Sequence, residues 1–256
     1  MSSQRLAWVH DDVDELCELG RRDPTAAVPS CPGWTLSDLL AHVAGSFSDW
    51  WTHTLTSGPD DEVDAAGYMA THPSPVPEQP SDAVALLADA AVGWLAKAEA
   101  VDPAKPTWTF DGPGRADFWF GRASTECAVH LWDARGVFEP GPTVPAERAV
   151  DVITETIQGL LPHVLGATDR LGVPLPTSIL GIVADDVDGE WVVTATASGP
   201  VTDSGASPDV VIRGPVSDVC LFLHGGEAPG VEVTGAEEWS AWTPFVQLYS
   251  GGGSSS

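Results

Sequence analysis

Leu6, Val9, Val13 and Leu16 recur every three or four positions with polar residues between them, which is the stripe of an amphipathic helix over residues 1–20, and Gly20 reads as its stop. The next periodicity follows a turn. Thr35 stands as an N-cap with Asp38 three residues on, a weak capping box, and Leu39, Leu40 and Val43 predict a second helix from about Leu36 to Thr54. Gly58 to Pro80 is rich in Pro, Gly and Asp and reads as a surface connection, after which Ser81 caps an Ala- and Leu-rich third helix ending before Pro103. A fourth helix is expected from about Asp117 to Val137, closed by Pro140-Gly141-Pro142. Four helices of this kind predict a bundle, whose interior is a usual place for a metal site.

Beyond Pro145 the pattern changes. A helix near Glu147 to Val164 precedes strand-like runs at Ser178 to Ala184, Trp191 to Ala197 and Asp209 to Arg213, with the hairpin signal Asp188-Gly189 between the first two. Pro215 opens a short helix through Leu223, and Val231 to Val233 reads as one more strand. The expected fold class is α+β. A helical bundle over residues 1–140 is followed by a small α+β domain over 146–250 and a flexible Gly/Ser tail over 251–256.

Composition narrows the partners. The 37 acidic and 11 basic residues give a formal charge of −26, which repels nucleic-acid backbones and anionic membrane surfaces and otherwise describes a solvated exterior. The apolar run from Ala83 to Ala100 is interrupted by Asp89, Lys97 and Glu99 and falls short of a membrane span. Cys17, Cys31, Cys127 and Cys220 form no C-x-x-C pair, and no charged-then-apolar leader precedes the first helix. These features predict a cytoplasmic protein with reduced thiols that acts on a small molecule.

Glu126 and His130 lie four apart on the fourth helix and project from one face about one turn apart. His42 stands on another helix, where Leu39, Val43 and Phe47 mark it as core-facing and able to meet that pair across the bundle. Two imidazoles and a carboxylate are the ligand set of many catalytic zinc sites, which keep a fourth position open. A Glu and a His at this spacing are also a common surface pair.

Around them stand further candidates for catalytic roles. Asp49 and His53 follow His42 by seven and eleven residues, near the same helical face, either as a solvated rim or as substrate contacts. Asp133 could orient His130 as an outer hydrogen-bond acceptor or balance charge near Arg135. Arg122, one turn before Glu126, reads as its salt-bridge partner or as a substrate anchor. Cys31, before Pro32 and with no base adjacent in sequence, reads as structural rather than nucleophilic.

Ser30-Cys31-Pro32-Gly33-Trp34-Thr35, followed by Asp38-Leu39-Leu40-Ala41-His42, closely resembles the opening motif of the mycothiol-dependent maleylpyruvate isomerase family, a branch of the DinB-like bundles. Glu126 to Asp133 is similar to that family's second motif. Gly189-Glu190-Trp191 and Val211-Ile212-Arg213-Gly214-Pro215 resemble its sterol-carrier-like domain. The resemblance implies a divalent metal, zinc by its ligand set, held by His42, Glu126 and His130, with a low-molecular-weight thiol, mycothiol, as cofactor. The second domain is expected to cover the open mouth of the bundle, which makes Arg213 and His224 its candidates for cofactor or substrate binding, although Arg213 could equally be a surface residue beside Asp209.

One departure bears on substrate. Where relatives commonly carry Gly-Arg after the apolar helix of the second domain, this chain reads His224-Gly225-Gly226-Glu227 and lacks an arginine to clamp a carboxylate. Maleylpyruvate, a small dicarboxylate, is then a poor fit. Eleven tryptophans, with Trp50, Trp51, Phe118 and Trp119 near the ligand helices, would either line a roomy apolar pocket or belong to the core. The expected activity is a metal- and thiol-dependent isomerase or transferase acting on a larger apolar or aromatic metabolite. A hydrolase or hydratase using the same ligands, and a non-catalytic binding module with a structural metal, are the alternatives.

Overall fold

The computed structural model describes residues 1–60, 71, 76–110, 112–166, 168, 172–196, 199–202, 205–226 and 228–246, without the side chains of Asp49 and Trp50. The expected tail over 251–256 and the greater part of the Gly58 to Pro80 connection lie outside the described residues. The chain divides into two compact units, Met1–Pro142 and Thr143–Ser256.

In the first unit, helix α1 (Ser2–Arg22) buries Val9, Val13 and Leu16. It runs through Gly20 rather than stopping there. A Cβ on Gly20 would lie 2.5 Å from Leu40 Cδ2 and 3.1 Å from Val84 Cγ2, so this glycine serves a close helix approach. The helix ends instead at Asp23, in extended conformation before Pro24.

Helix α2 (Leu36–Gly45) opens on a complete capping box: Thr35 Oγ1 accepts from the Asp38 amide and Asp38 Oδ2 accepts from the Thr35 amide. The single helix expected as far as Thr54 is interrupted. A π-helical segment at Ser46–Trp51 precedes the short α3 (Thr52–Thr56). Its wider i→i+5 turn breaks the 3.6-residue register on which the spacing of Asp49 and His53 from His42 depended.

Helix α4 (Asp82–Ala100) turns Leu87, Ala91, Trp94 and Ala98 inward, and α5 (Asp117–Gly136) buries Trp119, Phe120, Ala123 and Cys127. Between them an antiparallel hairpin, β1 (Pro106–Thr109) and β2 (Gly112–Arg115), is held to the end of α3 by Thr107, whose hydroxyl lies 2.7 Å from the Thr54 carbonyl oxygen. The sequence pattern did not predict this hairpin, since Pro106, Gly112, Pro113 and Gly114 are poor strand residues. Helices α1, α2, α4 and α5 form a four-helix bundle around one apolar core.

The second unit begins with α6 (Ala146–Glu155), which passes through a π turn at Thr156–Leu160 into α7 (Leu161–Leu165). Five strands follow: β3 (Ile179–Ala184), β4 (Gly189–Thr196), β5 (Gly199–Thr202), β6 (Val210–Gly214) and β7 (Glu232–Thr234). Their order is β5-β4-β3-β6-β7, with β3 and β6 parallel and the other pairs antiparallel. Ala184 pairs with Gly189, so the expected hairpin turns over residues 185–188.

Helix α8 (Val216–Leu223) starts after Pro215, with Asp186 Oδ1 accepting from the Val216 amide, and α9 (Ala236–Val246) closes the described chain. Strand β5 and helix α9 also escaped the sequence reading: β5 is four residues including Gly199 and Pro200, and α9 carries Pro244 inside it. The architecture is α+β, a helical bundle followed by a mixed sheet with helices. Among the described residues no helix is long and apolar enough to cross a membrane. All four cysteines are free thiols.

Candidate metal centre

The capping box fixes where α2 starts, and His42 falls in its last turn. Leu39 and Val43 turn into the core with no exposed surface. His42 flanks that face by roughly 60°, at 100° per residue, and its side chain keeps 42% of its surface exposed. The expectation that His42 faces the core is therefore corrected: it stands at the rim of the bundle.

On α5, Glu126 and His130 are almost enclosed, and the i,i+4 spacing brings His130 Nε2 to 3.2 Å from Glu126 Oε1. His42 Nε2 reaches the same oxygen at 3.0 Å, and the two imidazoles meet edge to face at 5.0 Å between centroids. One donor atom from each of the three residues lies within 4.8 Å of the others. A tetrahedral ion with bonds of about 2.0–2.1 Å needs donor atoms roughly 3.3 Å apart, so this donor set fits zinc in chemistry and in spacing.

The electrostatics favour a cation between carboxylates. Burial alone would raise the pKa of the Glu126 carboxyl, but the charge and hydrogen bonds of His130, joined by His42, outweigh it and hold the group well below the ordinary carboxylate range. Burial would likewise lower His130, yet Glu126 and the hydrogen bond to Asp133 push it up to about 10. His130 Nδ1–H donates to Asp133 Oδ2 at 2.9 Å. Of the two readings of Asp133, the geometry is that of an acceptor orienting His130, because Arg135 is engaged elsewhere, in a bidentate pair with Glu15 at 2.6 and 2.7 Å.

Two contacts had no role in the sequence reading. The Ser30 hydroxyl donates to Asp133 Oδ1, and the Trp34 ring leans on His42 at 5.1 Å between centroids. Both residues lay in the quoted motif, but Ser30 and Asp133 are 103 positions apart, and spacing carries no signal for such a contact. Burial, with Asp133 adding to it, pushes the Cys31 thiol up to about 12, which suits a structural cysteine rather than a nucleophile.

The remaining candidates are not among the three grouped donors. Arg122 is buried on α5, one turn before Glu126. His53 is exposed on α3, beyond the π-helical segment, and the Asp49 side chain lies outside the described residues. Arg213 is exposed on β6, in register with Val183 and Glu232. His224 ends α8, its Nδ1–H donating to the Cys220 carbonyl at 2.8 Å and its Nε2 lying 3.3 Å from Thr156 Oγ1. Trp51 and Trp119 are core residues: Trp51 packs on Phe47 and Trp94, and Trp119 stacks with Trp108. Of the two readings of these residues, their burial matches that of core side chains.

The family model described as the mycothiol maleylpyruvate isomerase N-terminal domain matches residues 6–135, a span holding all three donors. A crystal structure of a histidine-to-alanine mutant of the mycothiol-dependent maleylpyruvate isomerase aligns with a TM-score of 0.55 at 14% identity, over 91% of this chain and 93% of that one. A second crystal structure of the mycothiol-dependent maleylpyruvate isomerase aligns with a TM-score of 0.47 at the same identity and coverage. At this identity the likeness is one of fold. No curated protein matches the chain. With the family match covering half of the sequence, the chain belongs to the mycothiol maleylpyruvate isomerase family.

Proposed function

We propose that this protein is a metal- and thiol-dependent enzyme, an isomerase or thiol transferase, with His42, Glu126 and His130 holding one zinc or similar divalent ion. The observation that carries this reading is the convergence of the three donors from two helices onto one point. The family membership supports mycothiol as the thiol. When bound, the ion would lower the pKa of a coordinated thiol and so supply thiolate near neutral pH.

The chain's own residues do the rest. Asp133 fixes the Nδ1–H tautomer of His130, which leaves Nε2 as its donor atom. Glu126 contributes negative charge from an almost enclosed position, where little water competes with it. His42, exposed on its outer side, leaves the centre open to a small molecule. This openness favours catalysis over a closed structural tie, since a catalytic ion keeps a position for substrate.

For the substrate we propose a larger apolar or aromatic metabolite rather than maleylpyruvate. Trp34 supplies an aromatic surface beside His42. The sequence His224-Gly225-Gly226-Glu227 contains no arginine that could pair with a carboxylate. The test is turnover of a panel of unsaturated acids and aromatic electrophiles by the zinc-loaded protein, with and without mycothiol. Turnover requiring both zinc and thiol is the expected result, and thiol-independent hydrolysis would replace this reading with a hydrolase.

A further inference from the structure

We propose that the turn from Ser30 to Trp34 is a positioning element that sets both imidazoles of the metal centre, Ser30 acting on His130 through Asp133 and Trp34 acting on His42 directly. The proposal rests on the zinc reading above and assigns roles to two residues outside the ligand set.

The turn is held by its own backbone before it touches the centre. Ala27 bridges Thr35, the Val28 amide donates to the Trp34 carbonyl at 2.9 Å, and the Leu36 amide donates to Ala26 at 2.9 Å. Within that closed loop, the Trp34 amide donates to the Cys31 carbonyl at 3.0 Å, with Pro32 and Gly33 as the central residues. Gly33 has φ +87, the left-handed value that a type II turn requires at its third position and that Pro at the second favours. The capping box of α2 begins at the next residue, so the turn and the helix carrying His42 are one continuous unit.

From this base two arms reach different helices. Ser30 donates to Asp133 Oδ1, and the other oxygen of that carboxylate accepts from His130 Nδ1 at 2.9 Å. Asp133 is therefore pinned at both oxygens, and its plane, with that of the His130 ring, is fixed. Trp34 packs partly against the core and lays its ring on His42 at an interplanar angle of 55°. His42 is the most exposed of the three donors and has the greatest rotamer freedom to lose on binding an ion. The Ser30 hydroxyl is on an exposed residue outside the core, so its contact with Asp133 has no packing function to explain it.

The test is zinc affinity by chelator competition in the full chain, together with the visible spectrum of the cobalt-loaded protein. Ser30→Ala is expected to raise the zinc Kd about tenfold, the low end of the range for outer partners of a ligand. Ser30→Thr, which keeps the hydroxyl, is expected to restore binding to within about twofold, and Ser30→Ala is expected to cost nothing further in an Asp133→Ala background. Trp34→Leu, which keeps apolar bulk against the core, is expected to cost about tenfold and to add to Asp133→Ala, with Trp34→Phe recovering most of it. Ser30→Ala and Trp34→Leu are expected to shift the cobalt bands, and Ser30→Thr to match the parent.

Parent-like affinity and spectrum in either alanine or leucine variant overturns that arm. So does a Ser30→Ala loss that persists without Asp133. A parent protein that binds no zinc would instead overturn the metal reading itself.

Discussion

Replacing Asp133 by alanine is expected to weaken zinc binding about a hundredfold and replacing it by asparagine about tenfold, the two ends of the range for outer partners of a metal-bound histidine. The order follows from the contacts. The Asp133 side chain is 7% exposed and carries two hydrogen bonds, from His130 Nδ1 and from Ser30. Asparagine can keep both, turning its carbonyl to His130 and its amide to the Ser30 hydroxyl, which also accepts; what is lost is the charge that makes the imidazole a better donor. Alanine removes charge and both bonds and frees the ring to take the wrong tautomer. In free energy the difference is about 1.4 kcal/mol for asparagine and about 2.7 for alanine. Competition with a chromophoric chelator at pH 7.5 measures it, with His42→Ala as the reference for a lost ligand and thermal unfolding of the metal-free proteins as the control for folding. Zinc affinity within about twofold of the parent in the alanine variant, with the fold intact, would refute the argument.

Zinc binding is expected to tighten as pH rises from 6 to 8, because His130 keeps its proton up to about 10 and must lose one from Nε2 to bind the ion; calorimetry in buffers of different ionisation enthalpy should register proton release, and pH-independent binding would contradict this. The metal-free protein is expected to lose stability as pH climbs from 6.5 through about 10, since the folded state then holds a proton that the unfolded state has released; a melting temperature flat over that window would count against a raised His130. On the acid side, Glu126 contributes stability that is present above its ordinary 4.5 and is lost as the pH falls below it. A chain ending at Pro142 is expected to bind zinc as the whole chain does, because all three donors lie in Met1–Pro142; loss of binding in a folded fragment would show that the second unit is needed for coordination.

The bundle was legible because its helices announce themselves locally: a stripe at Leu6, Val9, Val13 and Leu16, a capping box at Thr35 and Asp38, and Pro140 as a stop. The juxtaposition of Glu126 and His130 was legible for the same reason, as both lie on one helix. What spacing alone could not supply was the approach of His42, 84 residues away, or of Ser30 to Asp133. Those depend on how helices pack. Expectations built on a uniform helix failed where the backbone departs from 3.6 residues per turn: the helix expected as far as Thr54 gives way to a π-helical segment at Ser46–Trp51, so spacing from His42 no longer assigns His53 a helical face. The aromatic residues Trp51 and Trp119 read equally well as pocket or core, because apolar character says that a side chain is buried without saying against what.

His42, Glu126 and His130 together are proposed to hold one catalytic ion. Elemental analysis of protein purified without chelator, set beside the same measurement on His42→Ala and His130→Ala, tests it most directly. Close to one zinc or similar divalent ion per chain is expected in the parent and none in either variant, with mycothiol-dependent turnover lost alongside the metal. A parent protein free of metal that still turns over substrate, or variants that keep their full complement of metal, would contradict it.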